Sequence, residues 1–208
     1  MLIPRNGHFS LAYFFGLTHK HKNMNITETI QKNLGFGKIQ KIDPNSQEVT
    51  DKEGIHGNNA IAQAAIPSVL LGLFNRLEKE PDASWIAGDQ PTGNLLEKIF
   101  GKSHLELVDQ VALYARMKNE LVKPEMEHIA SEVVRVTRDN IKDLTDENSI
   151  AAFVAQHKQD VLLYLPAAIS LGRILGNDNL DDRTNKMEGP ISSLMHKMEK
   201  QFNSSENN

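Results

Sequence analysis

Apolar residues recur along this chain at steps of three and four, and no stretch alternates convincingly with a period of two. The spacing therefore predicts an all-α protein. Ile26, Ile30 and Leu34 repeat every four residues, Asn25 and Glu28 have the spacing of a capping pair, and Gly35 offers a stop. Residues 36–58 lose the helical period; Asp43-Pro44-Asn45, Gly54 and Gly57 mark turns, with an extended piece expected over 38–42. A long helix follows from Asn59 to Glu80, closed by Pro81. Its face of Ile61, Ile66, Val69, Leu70, Leu73, Phe74 and Leu77 is widened by Ala64 and Leu71. A face that broad belongs at the centre of a bundle.

Residues 81–93 read as a loop whose Trp85 folds back onto the core. Asn94 with Glu97 and Ser103 with Glu106 repeat the capping-box spacing. They open a short helix carrying Leu96, Ile99 and Phe100, then a longer one with Leu105, Val108, Val111, Ala112 and Ala115 facing inward. Pro124 suits the first position of the next helix, which buries Met126, Ile129, Ala130 and Val133 and has Ile141 near its end. Thr145 or Ser149 is expected to cap a helix whose face, Ile150, Phe153, Val154, His157, Val161, Tyr164 and Leu165, leads into Pro166. That proline either kinks one long helix or begins another. An amphipathic helix over 189–202 closes the pattern. The expectation is a compact bundle of about seven or eight helices, with central helices kinked at Pro67 and Pro166. Ile66-Pro67 followed by Gly72 echoes Leu165-Pro166 followed by Gly172, which suggests two central helices packed closely at their glycines.

Residues 24–202 form one expected domain, with 203–208 a frayed tail and 1–23 an upstream extension without a role in the fold. The apolar run FSLAYFFGL near the start is followed by His19-Lys20-His21-Lys22 instead of a cleavage site, so a secretory signal is a poor match. No run reaches the ~18 apolar residues that span a bilayer. The nearest, Ala60 to Phe74, contains Gln63 and Pro67.

Composition changes this picture in two respects. The net charge of −4 suits solubility and argues against a surface built to neutralise phosphates, so no nucleic-acid partner is expected. The absence of cysteine removes disulfides, thiolate metal sites and cysteine nucleophiles, and is compatible with a cytoplasmic location.

Candidate chemistry centres on the polar dozen Asn177–Glu188, where Asp178, Asp181, Asp182, Arg183 and Glu188 form the densest cluster of charge. Its length invites comparison with a calcium loop. Asp182 stands where glycine should turn the chain, and Thr184 where an apolar residue belongs, so the comparison mostly fails. Glu125-x-x-His128 has the spacing of a helical di-iron pair, but its one counterpart, Glu53 to His56, lies among glycines. His157 reads as a core histidine. No hydrolase nucleophile elbow, phosphate loop or dinucleotide fingerprint occurs.

Three features resemble the YidB-like group of bacterial helical proteins: the Ile26–Gly35 helix, Ile99-Phe100-Gly101 before Leu107-Val108-Asp109-Gln110-Val111-Ala112, and Leu165-Pro166 late in the chain. This chain is poorer in glycine than that group. The resemblance implies a compact helical fold, and neither an activity nor a set of functional residues. Capped helices with broad apolar faces and no convergent chemistry point to a non-catalytic interaction or self-association module. The alternative is a small-molecule or metal-binding protein, an enzyme among the options, using the acidic loop 177–188. No cofactor is implied by either.

Overall fold

The computed structural model describes residues 25–50, 55–88 and 94–177. Its helices are α1 (Ile26–Asn33), α2 (Asn58–Lys79), α3 (Leu95–Phe100), α4 (His104–Ala115), α5 (Asn119–Asn140), α6 (Glu147–Leu162) and α7 (Leu171–Leu175). The described residues contain no strand; one isolated antiparallel bridge joins Ile42 and Val49. The protein is all-α, as the periodicity predicts.

Helix α2 is the axis of the bundle. Every residue from 60 to 75 is buried, and α1, α3, α4, α5, α6 and α7 all touch it. Burial of each large side chain, such as Ile61, Leu70 and Phe74, contributes about 1.5–3 kcal/mol. Among the described helices, α2 alone is long and apolar enough to cross a membrane, and 94% of that window is buried inside the fold. The helix runs on through Pro67, which cannot donate to the Gln63 carbonyl one turn back. One residue later Ser68 donates its hydroxyl to the Ala64 carbonyl at 2.7 Å.

Gly72 has a role different from the one its echo suggests. A Cβ there would fall within the Phe100 ring, so the glycine is the seat that lets α3 lie against α2. The contact is glycine to aromatic ring, not glycine to glycine.

Several helix ends differ from their expected form. Asn25 does cap α1, accepting from the Glu28 amide at 3.1 Å, but the Glu28 carboxylate accepts from the Tyr164 hydroxyl at 3.2 Å. Helix α3 is capped from outside: the Leu95 and Leu96 amides donate to Glu127 Oε2 on α5 at 2.9 and 3.4 Å. Ser103 makes no cap, because a 3₁₀ turn over Gly101–Ser103 feeds directly into α4. Leu105 is consequently 55% exposed, and Leu107 takes the core position. Helix α5 starts at Asn119, five residues before Pro124, and the cap of α6 is Asp146 rather than Thr145 or Ser149.

The continuous helix through Pro166 does not form. Helix α6 ends at Leu162, Pro166 is extended (φ −64°, ψ 134°), and a 3₁₀ turn over Ala167–Ile169 precedes α7. The reason is double: proline cannot donate back to Leu162, and it disfavours helical geometry at Leu165. The carbonyls freed at this end find partners elsewhere. Leu163 accepts from the Ile42 amide at 2.7 Å, and Tyr164 from Gln63 Nε2 at 3.0 Å. Gln63, wholly buried, also accepts from the Gln40 amide at 2.7 Å and donates to the Gln40 carbonyl at 2.9 Å. The connector 36–50 is thus pinned to the bundle by the Gln63 amide, by the Ile42–Leu163 backbone bond, and by the Gly37 amide donating to Asn59 Oδ1 at 2.9 Å.

Candidate ligand cleft

A cleft of about 350 Å³ opens beside this junction. Four separate segments wall it. The turn after Ile42 supplies Glu48 and Val49, and the approach to α2 supplies Ile55, His56 and Ala60. The last turn of α4 contributes Gln110, Leu113, Tyr114 and Arg116, and the 3₁₀ turn after Pro166 contributes Ala168. Each wall is held for a local reason. Asp43 accepts from the Asn45 and Ser46 amides at 2.7 and 3.2 Å, which folds the connector back so that Asp43 N can reach the Glu48 carbonyl at 2.9 Å.

The chemistry of the lining is mixed. Tyr114 is half-buried, and its phenol is pushed up to about 12, first by burial and then by the negative charge of Glu48. It stays protonated near neutrality and serves as a hydrogen-bonding group, not as a base. Arg116 ends α4 in the left-handed conformation (φ 54°, ψ 42°), with its amide bonded to the Leu113 carbonyl and the Met117 amide to Ala112. Beside the cleft, the outer face of α4 shows Leu105, Asp109, Leu113 and Arg116 to solvent, with Leu113 74% exposed.

The residues singled out from sequence fall elsewhere. Asp178, Asp181, Asp182, Arg183 and Glu188 lie outside the described residues, as does the helix expected over 189–202. Asn177, at their threshold, donates to Asn75 Oδ1 at 3.3 Å. Among the described residues no group of three or more histidine and carboxylate side chains is placed to hold a metal ion, so Glu125 and His128 gain no third ligand of these types. His157 is buried, with its ring 4.7 Å from that of Phe153, and burial pushes its pKa down against the opposing pull of Asp160.

Sequence reasoning missed the cleft because its lining comes from four segments, none carrying a motif. The one local signal was an arginine at a helix end where glycine is the usual residue. No protein-family model, curated protein or solved structure matches this chain.

Proposed function

We propose that this chain works by non-catalytic binding and that the cleft beside Tyr114 receives a small molecule. The observation that carries the reading is the cleft itself, whose size suits a metabolite and whose lining sets Glu48, His56, Gln110, Tyr114 and Arg116 among apolar side chains. The same proposal places the protein in the bacterial cytoplasm and keeps the likeness to the YidB-like group, which adds a fold and no chemistry. The test is a thermal-shift screen of metabolites against the wild type and Ala168→Phe, since Ala168 is exposed and a phenyl ring there would fill the cleft. A ligand that stabilises the wild type and not the variant supports the reading. Equal shifts in both, or no shift with any compound, would refute it.

A second reading, self-association, is favoured by the outer face of α4. An antiparallel pairing of two copies about Leu113 would bring the leucines together and set Asp109 of each against Arg116 of the other. Light scattering across micromolar concentrations should then show a dimer that Leu113→Ser dissolves. A monomer throughout would remove this reading.

A further inference from the structure

We propose that the ligand is a small monoanion with an apolar body, a branched-chain carboxylate, whose carboxyl group pairs with the Arg116 guanidinium. The inference rests on the cleft being the binding site, as proposed above.

The backbone gives the first argument. Helices α1, α4 and α7 close with the same pair of hydrogen bonds. Gly35 donates to Lys32 and Phe36 to Gln31; Arg116 to Leu113 and Met117 to Ala112; Gly176 to Arg173 and Asn177 to Gly172. The residue at the turn is left-handed in each case, and in two of the three it is glycine. A side chain at that position is strained by its own Cβ, so arginine at 116 is not there for the turn. Two other non-glycine residues have positive φ, Gln47 and Ser170; they flank the chain segments of Glu48 and Ala168, and of the three only Arg116 itself lines the cleft. A strained residue kept where glycine would serve, and lining a cavity, is a mark of a side chain that matters more than local comfort.

The second argument is charge. Among the described residues the other arginines are all paired: Arg76 with Glu80, Arg135 with Glu132 and Asp139, Arg138 with Asp139, and Arg173 with Glu106. Arg116 has no such partner and lines the cleft. A guanidinium matches a carboxylate with two parallel hydrogen bonds. Glu48 also lines the cleft, and its charge favours a monoanion over dianionic phosphate. The third argument is the remaining surface: Val49, Ile55, Ala60 and Ala115 offer an apolar wall for a branched side chain.

The experiment is an amide-resolved NMR titration of the full chain with 4-methylpentanoate, 4-methylpentanamide, N-acetyl-leucine and inorganic phosphate. The acid should shift the Gln110, Tyr114 and Arg116 amides and bind about tenfold or more tighter than the amide. Phosphate should leave them unmoved. Arg116→Gly should fold with a melting temperature equal to or above wild type, because relief of strain offsets loss of the cation, and should bind acid and amide alike. Glu48→Gln should tighten the acid. Preference for N-acetyl-leucine over 4-methylpentanoate would identify a peptide C-terminus as the source, and the reverse a free carboxylic acid; both keep the carboxylate on Arg116. Acid and amide bound equally by the wild type would overturn the inference and leave the cleft reading standing. Unchanged acid binding in Arg116→Gly, or phosphate bound as well as the acid, would also overturn it. If none of these probes binds and the metabolite screen is empty, the cleft reading falls as well.

Discussion

Replacement of Gln63 by leucine tests whether one buried amide holds the connector to the bundle. The side chain is wholly buried and makes three hydrogen bonds, at 2.7, 2.9 and 3.0 Å, to both backbone groups of Gln40 and to the Tyr164 carbonyl. Each such bond contributes about 1 kcal/mol net, and leaving its partner dry and unpaired costs roughly 1–3 kcal/mol. Gln40 is only half-buried, so water can recover part of the loss there. The Tyr164 carbonyl has less recourse, because Tyr164 is buried and so is its bond to Gln63. Leucine returns on the order of 1 kcal/mol through added apolar burial. The balance is a loss of about 3 kcal/mol, or roughly 6–12 °C in melting temperature for a chain of this size. Urea unfolding measures it, and hydrogen exchange locates it: the Gln40 and Ile42 amides should lose protection before those of α2. A variant within about 1 kcal/mol of wild type, with both amides still protected, would show that the connector is held by its other hydrogen bonds, from Gly37 and Ile42, and its apolar contacts instead.

Three further outcomes follow from the packing and charge. Gly72→Ala should cost about 1–3 kcal/mol by driving a methyl into the Phe100 ring, and a double-mutant cycle with Phe100→Leu should be strongly non-additive; additive losses would exclude the contact. Glu127→Ala should cost about 1–2 kcal/mol by uncapping α3, with Glu127→Gln restoring most of it, as read by thermal unfolding of both. His157 is held below its ordinary value of 6.5, so the unfolded chain binds more protons as pH falls. Stability should therefore be flat above pH 6.5 and decline below it. His157→Phe should reduce that slope in pH-dependent urea melts, and an unchanged slope would place the effect elsewhere.

The elements of this fold were largely legible in the sequence. The period of apolar residues located α2 to within a residue at each end and marked Ile150, Phe153, Val154 and Val161 as core. Asn25, Gly35 and the Asp43 turn acted as their local chemistry requires, because a cap or tight turn involves neighbours in the chain.

What the sequence could not show was any bond between distant residues. Gln63 looked like an interruption of an apolar run until the fold brought Gln40 and Tyr164 to it. The Asn94 capping box gave way to Glu127, thirty-two residues further on in the chain for the Leu95 amide, because a carboxylate presented by α5 can serve two amides at once. Leu105 and Leu107 are both leucines at helical spacing, and only the 3₁₀ entry into α4 decides which one is buried. The cleft is the extreme case. Periodicity reports which face of a helix is apolar, but a cavity is a property of where faces fail to meet, and that is settled only in three dimensions.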